Sequence, residues 1–393
     1  RGGWNRPAAE GYGLPTETWR EYMARRERYD EIGGKLLAGE VTSIDDLITY
    51  NLDIRQFAQD VIQHADGPEL VRAFFKAIRD ISVLDPTCGS GAFLFAALNI
   101  LFPLYDACLE RMEEFVDALE RNPEPQHPQK YSDFKDVLAE MGGHSNRDYA
   151  IFKAIIARNL YGVDIMEEAV ETCKLRLFLK LASKLEQDQP IEPLPDIDFN
   201  IRAGNTLVGF TSMEDLRRAA YGTSTGQQRM VDAETERVLG RIAEQAELAD
   251  RAFQQFRLQQ TSLGGQVSAD DKQALRERLY DLSTELDRYL ARLYAIDRDN
   301  IRDAHAYEEA FTDWRDRHKP FHWLIDFYGI MQRGGFDVII GNPPYLERSK
   351  LKNQYAVINY ATESCRDIYA WVVERCFRLR ARDSALGLII PVS

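Results

Sequence analysis

The sequence contains no C-x-x-C pair. Its five cysteines, Cys88, Cys108, Cys173, Cys365 and Cys376, are scattered, which provides neither a zinc site nor a disulfide framework and suits a reducing cytoplasm. The six histidines (His64, His127, His144, His305, His318, His322) fall at no metal-ligand spacing, so no metal centre is expected. No run of ~18 uninterrupted apolar residues occurs, and no membrane-spanning helix is expected. The opening RGGWNRPAAEG lacks both an initiator Met and an apolar signal core, which points away from secretion and toward a fragment of a longer chain. A basic excess is also missing: Lys and Arg number 49 against 63 Asp and Glu, a formal net charge of −14. A protein that only coats a phosphate backbone would be basic. Any nucleic-acid role therefore needs a local basic surface or a segment elsewhere. Sequence repeats and low-complexity tracts are absent as well.

What remains is a globular chain. Of its 393 residues, 45% are hydrophobic and 28% charged, enough for two domains or one elaborated α/β domain. Residues 1–48 are polar and helix-prone. Residues 54–79 repeat apolar positions at helical spacing (Phe57, Val61, then Val71, Phe74, Phe75, Ile78), broken by Asp66-Gly67-Pro68. The pattern then changes. Short apolar runs at 81–84, 160–163, 199–203, 336–340 and 386–390 read as strands. The segments between them include amphipathic helices, and residues 104–158 form a helical connection with a polar Pro-rich loop at 121–129. Strands alternating with helices predict a parallel, doubly wound sheet with its ligand-binding loops along one edge. Between the third and fourth strands, Val231, Val238, Ile242, Ala249, Ala252 and Phe256, then Leu275, Leu279, Leu282, Leu286, Tyr289, Leu293 and Ile296, fit a heptad frame. A turn and a capping pattern from Ser268 to Asp271 separate the two sets. This predicts an antiparallel helical hairpin at 226–297 that closes on its own seam and leans on the core.

Three constellations carry chemistry. In Asp85-Pro-Thr-Cys-Gly-Ser-Gly-Ala-Phe93, Gly89 and Gly91 permit a tight turn and close backbone approach by a ligand. A dinucleotide fingerprint would have a third glycine where Leu94 stands, which weakens the dinucleotide reading. Asp164 ends the next strand, where a carboxylate can take both ribose hydroxyls of a nucleoside or can cap the following helix. Asn342-Pro343-Pro344-Tyr345 follows FDVIIG. Its two prolines stiffen the backbone, presenting the Asn side chain and the intervening carbonyl as a rigid pair of acceptors beside an aromatic face. Such a site can hold a planar group bearing an NH2. The plainer alternative is a strand-terminating turn. Arg348, Lys350 and Lys352 lie just beyond, either contacting phosphates beside the pocket or forming a solvated loop.

In their order, DPTCGSGAF, YGVDI, AGNTL and FDVIIGNPPY resemble the amino-group DNA methyltransferases. The likeness is to the large adenine-N6 enzymes of restriction-modification and phage defence (type IIG, BREX and DISARM methylases), with a gamma-like motif order, and it covers about residues 45–393. It implies a Rossmann-like α/β methyltransferase sheet and S-adenosylmethionine as cofactor. Asp85, Pro86, Thr87, Gly89, Gly91 and Phe93 would line the methionine end. Asp164, with Ile165, would hold the ribose, and Gly204 and Asn205 would meet the cofactor adenine. The Tyr-Thr-Pro segment such enzymes often carry has its nearest match in Thr49-Tyr50-Asn51-Leu52, putting Asn51 by the methionine carboxylate. Asn342, Pro343, Pro344 and Tyr345 would grip the target base, with Asn342 also beside the cofactor. The implied partners are double-stranded DNA with a flipped adenine and restriction or defence-system subunits. The implied division is an N-terminal helical segment (1–79), a cofactor-binding half (80–210), a helical insertion (211–330) and a catalytic half (331–393). Other expectations on the same residues are an RNA-base or protein-glutamine N-methyltransferase, and a non-catalytic scaffold subunit. No Pro-Cys occurs, so the cytosine-C5 route through a Cys nucleophile is not expected.

Overall fold

The computed structural model describes residues 6–8, 13–122, 129–143, 146–185, 195–221, 233–261, 269–351 and 355–391. His127, His144, Val231, Ser268, Lys352 and most of the Pro-rich loop lie outside the described residues. The chain divides into two compact units, 1–64 and 65–393.

The first unit holds α1 (Trp19–Leu37), α2 (Ile44–Thr49) and α3 (Ile54–Gln63). Each opens on a side-chain cap: Thr18 and Ser43 form capping boxes with Glu21 and Asp46, and Asp53 accepts from the amides of Arg55 and Gln56. These caps satisfy amides that have no intrahelical partner. Asn51 follows α2 with φ +55°.

In the second unit, α4 (Pro68–Asp80) leads into β1 (Val83–Asp85) and α5 (Ala92–Arg121). Next come α6 (Ser132–Gly142), α7 (Arg147–Arg158), β2 (Leu160–Asp164), α8 (Glu167–Ala182) and β3 (Ile201–Ala203). After β3 the chain forms α9 (Met213–Tyr221), α10 (Ala233–Thr261), α11 (Ala269–Arg292), α12 (Ala304–His318), α13 (Trp323–Asp326) and α14 (Tyr328–Gln332). It closes with β4 (Phe336–Gly341), α15 (Arg348–Leu351), α16 (Ile368–Leu379) and β5 (Arg380–Leu388). The five strands form one parallel sheet in the order β3-β2-β1-β4-β5. The order reverses direction at β1, between β2 and β4, which makes the carboxyl end of β1 the switch point where such sheets bind ligands.

α5 is long and apolar enough by composition to cross a membrane, although Asn99, Pro103 and Asp106 interrupt its apolar run. Ten of its side chains, from Leu94 to Val116, are buried, and it packs on β1, β2, α4 and α7. Its burial and packing are those of a core helix. A second cluster of sheet and helix residues has an aromatic centre: Tyr161, Phe321, Trp323, Phe327 and Phe336 meet at ring-centroid distances between 4.9 and 6.2 Å, many edge-to-face, geometry that aromatic quadrupoles favour.

The starts of β1, β3 and β5 shift from the sequence reading, β3 beginning at Ile201 and not at Phe199. Ile81 caps α4, so β1 begins at Val83. β5 begins at Arg380, ahead of the apolar run, and alternates exposed with half-buried residues, because an edge strand tolerates charge on its open side. The helical hairpin forms as α10 and α11, but it does not stand apart. Leu239, Ile242, Ala246, Leu282, Leu286 and Leu290 share a core with Phe210, Leu216, Phe311, Trp314, Leu324 and Ile325. Asp287, 2% exposed, accepts from His322 Nε2 at 3.0 Å and pairs with Arg315 at 2.8 Å. Heptad spacing specifies an apolar stripe without specifying its partner. Here much of the stripe faces the body of the protein.

Candidate functional site

The loop after β1 turns twice in the left-handed region. Gly89 has φ +49°, with open space where a Cβ would stand. Gly91 has φ +84°, and a Cβ there would lie 2.5 Å from Cys173 Sγ of α8. Position 91 is therefore restricted to glycine by both backbone conformation and packing. Gly91 starts α5 without a side-chain cap, leaving the positive end of that helix dipole facing the loop.

Asp164, at the end of β2, joins this loop to the next. Its Oδ2 accepts from Gly89 N at 2.8 Å and its Oδ1 from Met166 N at 2.9 Å. Each oxygen keeps a further lone pair. The capping alternative is thus met only in part: Met166, not Asp164, is the N-cap of α8. Asp164 O accepts from Gly204 N at 2.8 Å, and Cys88 N donates to Val163 O at 3.0 Å. Ile165 is half-buried beside it. A Cβ on Gly204 would strike Phe321 at 2.8 Å, so glycine allows the β3 loop to close there. Asn205, 2% exposed, uses its Oδ1 to accept from Leu207 N at 3.0 Å, while its Nδ2 is buried without a partner. Thr206 Oγ1 donates to Pro86 O, tying the β3 loop to the glycine loop.

Asp85 is 1% exposed and accepts from Thr87 N at 3.1 Å. Burial pushes its carboxyl up to about 7, the Thr87 amide opposing this and the nearby Asp164 charge adding to it. Thr87 Oγ1 is also buried without a partner. Gly341, at the end of β4, completes this corner, since a Cβ there would stand 2.9 Å from Asp85 Oδ1. Pro86 is buried and Phe93 half-buried.

Beyond Gly341, Pro343 is buried while Asn342, Pro344 and Tyr345 are exposed. The Tyr345 hydroxyl lies against two acceptors, Asn342 Oδ1 and, at 2.8 Å, Ile389 O. Its ring stands edge-on to Tyr369 at 6.4 Å. Arg348, one of the loop cations, donates to Glu363 O at 2.8 Å and lies over Trp371. Lys350 is exposed.

The hydrogen bonds and close approaches thus join Asp85, Pro86, Gly89, Asp164, Gly204 and Asn205 to one another, with Gly341 and then the Asn342–Tyr345 turn beside them. Asn51 belongs to the first unit. Sequence reasoning gave no role to Thr206, although it stands inside the AGNTL motif. It also passed over Tyr360 and Arg375, which carry no motif and whose buried hydrogen bonds reach residues far along the chain.

Two comparisons bear on this arrangement. The model of the Eco57I restriction-modification methylase family matches residues 158–393, more than half of the chain. A Methanocaldococcus jannaschii protein named as a type II restriction enzyme and methyltransferase is 28% identical over 356 residues, 84% of this chain and 27% of that protein. The Escherichia coli type II restriction enzyme and methyltransferase RM.Eco57I is 25% identical over 199 residues, 48% of this chain and 17% of its own length. The chain therefore spans at most about a quarter of these relatives.

Proposed function

The chain belongs to the Eco57I restriction-modification methylase family, and on that premise we propose that it is the methyltransferase part of a DNA adenine-N6 methylase that uses S-adenosylmethionine. The observation that carries the reading is the convergence of two unlike corners at the carboxyl ends of β1, β2 and β4. One corner suits a cationic nucleoside and the other an aromatic amine.

The cofactor corner passes a test of fit. Asp85 is a buried carboxyl lacking a cationic partner among its hydrogen bonds, which suits the ammonium end of S-adenosylmethionine. Asp164 has acceptor capacity left for ribose hydroxyls. The orphaned Asn205 Nδ2 and Thr87 Oγ1 call for acceptors that a ligand would bring, because a buried polar atom left unpaired is costly. Gly89 leaves open space where a Cβ would stand.

When bound, S-adenosylmethionine supplies an electrophilic methyl group. The chain's own residues position the nucleophile. Asn342 Oδ1 and the Pro343 carbonyl accept hydrogen bonds from the two N–H groups of an adenine N6 amine. That favours a pyramidal nitrogen with its lone pair turned outward. Tyr345 stacks on the base, which must leave the duplex to reach the turn. Proximity and orientation then contribute most of the rate.

Nucleoside mass spectrometry of DNA incubated with the full-length enzyme and cofactor tests the reading. N6-methyladenine is the expected product. N4-methylcytosine would move the assignment to the other exocyclic amine, and methylated protein or RNA with unmodified DNA would overturn it.

A further inference from the structure

Arg375, on α16, is 3% exposed. Its guanidinium donates from Nε to the Tyr360 hydroxyl at 2.7 Å, from Nη2 to Leu207 O at 2.6 Å and from Nη1 to Gly209 O at 3.3 Å. The Tyr360 hydroxyl in turn donates to Leu207 O at 2.8 Å. These acceptors are two main-chain carbonyls and a phenol, and none is a carboxylate. An inward-facing cation with neutral partners is a costly way to fill space, and a well-packed apolar side chain would cost less. What the fork adds is geometry: its fixed donors hold two carbonyls of one loop at set positions.

That loop is the one bearing Asn205 and Thr206. Leu207 N and Val208 N fold back onto Asn205, and Thr206 reaches Pro86 of the glycine loop. At its other end, α16 starts beside the target turn. Ile368 N donates to Leu346 O at 2.9 Å, and Tyr369 meets the Tyr345 ring. A continuous set of bonds therefore runs from the glycine loop through residues 205–209, Arg375 and Tyr360 to α16 and on to Asn342–Tyr345.

We propose that Arg375 and Tyr360 are positioning residues that fix the cofactor-adenine loop against the target-base turn, so that the two reacting groups meet in register. The inference rests on the methyltransferase reading for its kinetic consequence, but the coupling itself is a property of the ligand-free protein.

The test uses Arg375→Lys and Tyr360→Phe in the full-length enzyme, with two readouts. The first is amide hydrogen exchange without ligand. Arg375→Lys should speed exchange ~10-fold or more at Leu207 and Val208 and also at Ile368, leaving α7 protected. The second is methyl transfer. In both variants kcat should fall ~10–100-fold while affinity for duplex DNA stays within ~2-fold, with Tyr360→Phe the milder. Faster exchange confined to α16, exchange rising uniformly through α7 as in plain destabilisation, or an unchanged kcat would overturn the proposal. A wild-type enzyme that methylates no DNA would instead defeat the functional reading, and the exchange pattern would still decide the coupling.

Discussion

The carboxylate of Asp164 accepts the amide of Gly89 at 2.8 Å, so the same side chain that ends β2 also shapes the glycine turn after β1. Removing it releases the turn and, on the proposed reading, deletes a contact to the cofactor. Asp164→Ala is expected to weaken S-adenosylmethionine binding by at least ~10–100-fold, the loss of one or two charge-assisted hydrogen bonds. Calorimetry on a variant with wild-type circular dichroism checks this. Unchanged affinity would remove Asp164 from the cofactor site.

On the proposed reading, Asp85 should make cofactor binding pH-dependent. Burial raises its folded-state pKa to about 7, so below that pH the carboxyl is neutral and a cationic ligand must displace a proton. Affinity should therefore fall as pH drops from 8 to 6, and Asp85→Asn should bind more weakly and flatten that slope. Stability of the ligand-free protein runs the other way. The folded state holds a proton that the unfolded state releases near pH 4, so the Asp85 contribution falls as pH rises from about 4 to about 7 and is flat above. Asp85→Asn should therefore melt higher than wild type at pH 8, and thermal melts across that range check the sign.

Gly91→Ala combines two separable penalties. The residue's φ is +84°, and a Cβ would stand 2.5 Å from Cys173 Sγ. A loss of ~2–5 kcal/mol is expected from the backbone and overpacking together. Adding Cys173→Ala removes the sulfur contact but not the backbone term, so the double variant should recover only part of the loss. Full recovery in a denaturant titration would show that the turn imposes no conformational demand.

The hairpin is part of the fold. Leu286 on α11 is fully buried in a core shared with α9, α12 and α13. Leu286→Ala should cost ~2–5 kcal/mol of global stability. Loss of hairpin structure alone, with the rest of unit 65–393 melting as wild type, would return the hairpin to a separable strut.

The sheet and both loop corners were legible because their signals are local. A buried parallel strand reads as an apolar run, and glycine or proline after it marks a turn. The first four strands, the apolar end of β5, the Gly89–Gly91 turn and the Asn342–Tyr345 turn all announce themselves this way. What the sequence concealed depends on pairing at a distance. The charged start of β5 is admissible because that strand lies at an edge. The hairpin seam says that α10 and α11 bury a stripe but not that Leu286 meets α9, α12 and α13. Arg375 reads as one more arginine in an amphipathic helix, and only the folded chain brings Leu207 and Gly209 to it.

Asn342→Ala in the full-length enzyme tests the division of labour between the two corners most directly. With S-adenosylmethionine titrated by calorimetry and N6-methyladenine counted by mass spectrometry, cofactor affinity should stay within ~3-fold of wild type while methyl transfer falls by at least ~10³-fold, the scale lost when a group that orients the reacting atom is removed. Wild-type methylation of duplex DNA by Asn342→Ala would contradict the assignment of the Asn342–Tyr345 turn to the target base.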